Sequence, residues 1–66
     1  MKTTRINTGI YKITKGNRTF QAEKTYDGQW MLTEFIDNGV GFGVDQEYLN
    51  HFLDLKSCKI CVELYM

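Results

Sequence analysis

Gly16-Asn17 stands between two six-residue runs, residues 10–15 and 18–23, both rich in β-branched and aromatic side chains. Each turn residue tolerates the positive φ that a two-residue type I′ loop demands, so the chain is expected to double back there as a hairpin. Register follows by counting. With Lys15 opposite Arg18, Thr14 meets Thr19, Ile13 meets Phe20 and Tyr11 meets Ala22. The large apolar side chains then collect on one face, and a slip of one residue would turn them all to the other.

Asp27-Gly28 marks a second hairpin. A strict two-residue loop would place Thr25 opposite Trp30 and send Trp30 and Leu32 to the face away from Phe20. A three-residue loop, Tyr26-Asp27-Gly28 with Gly28 left-handed in a G1 bulge, instead pairs Lys24 with Trp30 and Ala22 with Leu32. One face then holds Tyr11, Ile13, Phe20, Ala22, Trp30 and Leu32, with Trp30 turned inward as a core anchor. The other holds Ile10, Lys12, Thr14, Thr19, Gln21, Glu23, Thr25, Met31, Thr33 and Phe35, which is wettable and carries little charge.

An apolar face of this size needs a cover, and the C-terminal stretch offers one. Asp54 is a suitable N-cap for a helix through Tyr65, with Leu55, Cys58, Cys61 or Val62, and Tyr65 recurring at three- and four-residue intervals. Asp45 is a second possible cap, for a short helix spanning 45–53 whose apolar side would be Leu49, Phe52 and Leu53; the periodicity leaves that segment open. The expected fold is α+β: an antiparallel sheet of three or four strands in sequential order, packed on one face by the C-terminal helix. Sixty-six residues make one domain, 1–66, with a thin core.

Composition excludes several classes. There is no apolar run long enough for a membrane span and no apolar stretch after Met1-Lys2-Thr3-Thr4-Arg5, so a cytoplasmic chain that meets no membrane is expected. Two cysteines are too few for an exported disulfide scaffold. The net charge of zero hides a division: Lys2, Arg5, Lys12, Lys15, Arg18 and Lys24 oppose only Glu23 up to residue 25, whereas seven acids oppose Lys56 and Lys59 beyond it. Opposed basic and acidic halves suit either a charged binding face or mutual neutralisation across the fold.

Little in the chain carries chemistry. Cys58-Lys59-Ile60-Cys61 has metal or redox spacing, but structural zinc wants four ligands, and redox pairs work at a helix N-terminus rather than inside a helix. Core packing and free thiols are expected. His51 has no Ser or Cys at a spacing that implies a triad, and Glu34 and Asp37 read as solvated charges. The glycine spacing of Asp37-Asn38-Gly39-Val40-Gly41-Phe42-Gly43 lacks the Lys-Ser/Thr pair of a P-loop and reads as a connecting loop. No catalytic residue, cofactor or metal is expected.

The pattern of residues 18–23, then Tyr26-Asp27-Gly28-Gln29-Trp30-Met31-Leu32, then Leu55-Lys56-Ser57-Cys58-Lys59, resembles small accessory proteins borne by phages and mobile elements. The order of three strands and a helix is also similar to integrase arm-binding and AP2-like domains, whose sheet enters the DNA major groove, although those domains are strongly basic and this chain is not. Two functions are thereby implied. One is a non-enzymatic accessory protein, monomer or homodimer, that binds another protein as a modulator or inhibitor of a host factor. The other is a sheet-face DNA binder with Lys2, Arg5, Lys12, Lys15, Arg18 and Lys24 on phosphates and Gln21 and threonines near base edges. The candidate binding face is Lys12, Arg18, Gln21, Lys24, Thr33 and Phe35, with a protein partner preferred over nucleic acid.

Overall fold

The computed structural model describes all residues, Met1–Met66. Strands β1 (Lys2–Asn7), β2 (Ile10–Lys15), β3 (Arg18–Lys24), β4 (Trp30–Asp37) and β5 (Val44–Phe52) precede one helix, α1 (Leu55–Tyr65). The sheet is an antiparallel meander in the order β1-β2-β3-β4-β5, with α1 across one face. The α+β class and the sequential order are as expected, but the strands number five, not three or four.

The central hairpins adopt the expected registers, but the first turn is not the expected type I′: Gly16 has φ 61° while Asn17 is not left-handed, the φ pattern of a type II′ loop, which fixes the same two-residue register. Lys15 faces Arg18, Ile13 faces Phe20 and Tyr11 faces Ala22. Across the next turn Ala22 faces Leu32 and Lys24 faces Trp30. Gly28 has φ 86°, and Thr25 N–H donates to the Gln29 carbonyl at 2.8 Å, closing the three-residue loop. Ile13, Phe20, Ala22 and Leu32 are fully buried together with Cys58 and Val62 of α1. Trp30 sits at the edge of this cluster, half-buried and tilted against Tyr11 at 5.8 Å between ring centroids.

Both edge strands depart from expectation. β1 pairs with β2 through Thr3 to Ile13 and Arg5 to Tyr11, then bulges at Ile6 before the Thr8-Gly9 turn. It has no apolar alternation, because its helix-side residues, Thr3 and Arg5, lie outside the apolar cluster under α1. Residues 45–53 are not a helix: Val44–Phe52 is β5, and Asp45 caps nothing. The misleading signal has a physical origin. A bulge between the partners of Leu32 and Thr33 inserts Leu49 as an extra residue, so Leu49 and Phe52, three apart, both pack against the core. An unbulged strand would send them to opposite faces, and spacing of three on one side imitates a helix. Leu53 is exposed.

α1 begins at Asp54, whose carboxylate accepts the Ser57 N–H at 2.8 Å. Its buried stripe is Cys58 and Val62, flanked by half-buried Leu55 and Cys61; Tyr65, expected in the stripe, is exposed, and Met66 packs against the core instead. The β2–β3 hairpin holds the C-terminal end of α1. Lys15 Nζ donates to the carbonyls of Val62 at 3.2 Å and Glu63 at 2.7 Å, placing a cation at the negative end of the helix.

Candidate binding face

The face opposite α1 is uncovered, and the registers lay its side chains out in rows across the sheet. The middle row runs Thr4, Lys12, Gln21, Thr33 and Tyr48. Beside it lies Lys2, Thr14, Thr19, Phe35 and Gln46, and on the other side Ile10, Glu23, Met31 and His51. The centre holds hydroxyls, amides, Met31 and Phe35. Charges stand mostly at the margins, Lys2 and Lys12 toward β1, Glu23 and Asp37 at strand ends.

Four of the six expected binding residues, Lys12, Gln21, Thr33 and Phe35, share this open face, although Thr33 is only 7 % exposed there. Arg18 and Lys24 do not, because they fall in register with Phe20 and Ala22 on the helix side. Arg18 is committed there to internal contacts. Its Nε and Nη2 donate to the two oxygens of Glu34, each at 2.8 Å, Nη1 donates to the Met66 carbonyl, and the guanidinium lies over the Phe20 ring at 5.1 Å. A fork that matches a carboxylate this closely is positioned for structure rather than for a ligand. Glu34, expected to be solvated, is instead only 9 % exposed, and the guanidinium holds its carboxyl below the usual range.

The other basic residues are similarly divided. Arg5 and Lys15 lie on the helix side with Arg18 and Lys24, and only Lys2 and Lys12 face the open side. A duplex laid on the open face would therefore meet few cations. Tyr48 and His51 are additions that β5 brings: the Tyr48 hydroxyl and His51 Nδ1 are hydrogen-bonded, with ring centroids 5.1 Å apart. Tyr48, Gln46 and His51 escaped the sequence reading because it left their segment between helix and loop. The alternation of Gln46 and Tyr48 was the available signal, and the bulge at Leu49 interrupts it after one period.

On the helix side a groove of about 470 Å³ opens between β5 and α1, lined by Asn50, Phe52, Ser57, Ile60, Cys61 and Tyr65. No three His, Cys, Asp or Glu residues come together. Both cysteines are free thiols, and burial pushes the Cys58 thiol up to about 11, so it stays protonated at neutral pH and acts as a small apolar side chain under α1. The Asp37–Gly43 segment is a connecting loop, closed by Asn38 N–H to the Gly43 carbonyl at 3.1 Å and Gly39 N–H to the Asp37 carboxylate at 2.9 Å. No helix is long and apolar enough to cross a membrane. No protein-family model matches the chain, and neither a curated protein nor a solved structure matches it.

Proposed function

We propose that this chain is a non-enzymatic accessory protein that works by binding another protein through its open sheet face, as a modulator or inhibitor of the kind phage-borne accessory proteins represent. The observation that carries this reading is the distribution of charge on that face. Thr19, Gln21, Met31 and Phe35 form an uncharged centre around Thr33, which is itself buried, with Tyr48 beside it and the charges of Lys12 and Glu23 flanking Gln21 and Met31. Protein interfaces have this anatomy, with aromatic and Met side chains in a core depleted of charge and a polar rim around it. The β-strands hold the backbone of this centre in place, so no loop has to be ordered on binding. The nucleic-acid alternative is weakened because four of six basic residues in the first half lie on the other side, with Lys15 and Arg18 bonded internally.

The test is co-purification from an extract of cells that naturally make the protein, with and without nuclease, at low and moderate salt. A protein partner retained through both treatments, and lost when Phe35→Glu is introduced into a chain that still folds, supports the proposal. An association that disappears with nuclease, weakens steeply with salt and is abolished by Lys12→Glu would replace it with the DNA-binding alternative.

A further inference from the structure

The meander leaves two strand edges free, and they differ in charge. β1 carries Lys2 and Arg5 with no acid, and β5 carries Asp45 and Glu47 with no Lys or Arg. Each edge is guarded against its own kind, by like charge and by a bulge, at Ile6 in β1 and at Leu49 in β5. The stretches free of bulges, Lys2 to Arg5 and Val44 to Tyr48, are the charged ones. Only the Arg18–Glu34 pair is a salt bridge within the chain; Arg5 has no acidic partner, and Glu47, opposite Glu34 in the ladder, feels Arg18 only at longer range.

Backbone geometry decides which edges are compatible. Lys15 and Arg18 close a two-residue loop and so form a hydrogen-bonded pair, and ladder pairs alternate from there. Followed across the sheet, this alternation turns the N–H and C=O of Thr3 and Arg5 outward from β1 and those of Val44, Gln46 and Tyr48 outward from β5. The Asn38 to Gly43 bond agrees with that phase. Two β5 edges meeting across a two-fold axis can pair Gln46 with Gln46, Val44 with Gln46 or Gln46 with Tyr48. Asp45 then faces Glu47, Asp45 faces Asp45 or Glu47 faces Glu47 of the other copy, and like charges directly opposite destabilise a sheet.

β1 and β5 run in the same direction, since three antiparallel strands separate them. A second copy placed beside the first with its helix on the same side therefore brings its β1 parallel to β5. In that arrangement Gln46 bonds to the backbone of Thr3 and Arg5, and the aligned residues are Asp45 with Thr3, Gln46 with Thr4 and Glu47 with Arg5. Side chains agree in facing: Glu47 and Arg5 both lie on the helix side, Gln46 and Thr4 both on the open side. We infer that the β5 edge accepts the β1 edge of a second copy of this chain, as a parallel strand pair fixed by Arg5 against Glu47. The contact is head-to-tail, so each copy retains one free edge of each kind and the association is open-ended. It does not depend on the binding role of the open face.

Sedimentation of the full chain from about 10 μM to about 1 mM at low salt measures it, in the range where weak contacts of this size form. The expected result is a mass that rises with concentration to at least twice the monomer value and falls back in high salt. Arg5→Glu and Glu47→Arg should each remain monomeric while folded by circular dichroism, and an equimolar mixture of the two should associate, since Glu at 5 then meets Arg at 47. A wild-type chain that stays monomeric throughout overturns the inference. So does association that both substitutions leave intact, and association lost with Phe35→Glu would assign it to the open face instead.

Discussion

The three central strands and the two edge strands are held by different forces. β2, β3 and β4 each contribute fully buried side chains to one cluster: Ile13, then Phe20 and Ala22, then Leu32. β1 contributes none, and β5 contributes only the half-buried Leu49 and Phe52. In the centre, side-chain burial and turn chemistry specify the same register, so each confirms the other. At the edges the backbone ladder carries the strand, and side chains are selected chiefly for what they prevent. A small domain can therefore be defined by its middle and bounded by strands whose sequences say little about structure.

The sharpest way to break this contrast is at Phe20. Phe20→Ala should cost about 3–5 kcal/mol through lost burial and the cavity left beneath α1. A domain of this size has only about 3–5 kcal/mol to lose, so the variant should be largely unfolded in water, read by urea titration of Trp30 fluorescence. A modest shift in midpoint would mean that the core is less concentrated than the burial of Ile13, Phe20 and Leu32 implies.

Next in size comes the buried half of the Arg18–Glu34 pair, which ties β3 to β4 and, through Met66, to α1. The Glu34 carboxyl lies below its ordinary value because Arg18 donates to both its oxygens. A depressed folded-state carboxyl stabilises fully above its unfolded value and loses that contribution as pH falls through the folded one. Stability should therefore hold from neutrality to about pH 5 and decline at more acid pH, toward the depressed value of Glu34. Asp54 and Asp27, lowered by Ser57 and Thr25 respectively, act in the same direction. Glu34→Gln should reduce the neutral-pH midpoint and flatten the acid limb, while Glu47→Gln, which removes only a longer-range attraction to Arg18, should do both to a much smaller extent. Equal effects from the two would erase the distinction between centre and edge.

The same distinction explains what was legible in the sequence. Gly16-Asn17 and Tyr26-Asp27-Gly28 gave both central registers because each turn type permits one pairing that keeps Ile13, Phe20, Ala22 and Leu32 together. Asp54 gave the helix start because the apolar stripe that follows it, Leu55, Cys58 and Val62, repeats over two turns, whereas the three-residue spacing after Asp45 comes from a single bulge. β1 was missed because Lys2, Thr3, Thr4 and Arg5 carry no apolar period, and β5 because one bulge converts a period of two into a spacing of three. On the open face, Lys12, Gln21, Thr33 and Phe35 were found by register alone. Arg18 and Lys24 were misplaced because they were grouped by charge, whereas strand parity puts them with Phe20. Tyr48 and His51 belong to β5 and were lost with it.

A direct test of the bulge is to delete Leu49. The pairs on either side, Thr33 with Tyr48 and Leu32 with Asn50, already have the parity of a regular ladder, so the shortened β5 should pair with β4 without a slip. The cost should be that of losing a half-buried leucine, about 1–2 kcal/mol, leaving the chain folded. Unfolding on deletion would mean that the bulge sets the twist that lets α1 reach Phe52, and β5 would then have to be counted with the centre.

The smallest effect is expected at Ile6. It is the bulged residue of β1, 59 % exposed, and lies outside the cluster that α1 covers. Replacing it removes little area from contact and no hydrogen bond, because a bulged residue already stands outside the regular ladder. Ile6→Thr keeps the β-branch and should change stability by no more than about 0.5 kcal/mol, within the range of ordinary surface substitutions. Amide exchange in the same variant distinguishes the sources of support for the strand. If the ladder holds β1, the inward amides of Lys2 and Thr4 keep their protection while those of Thr3 and Arg5 exchange freely in both proteins at low concentration. If Ile6→Thr instead releases Lys2 and Thr4, a side chain far from the core is holding the edge, and the division between a strand defined by burial and a strand defined by pairing fails at β1.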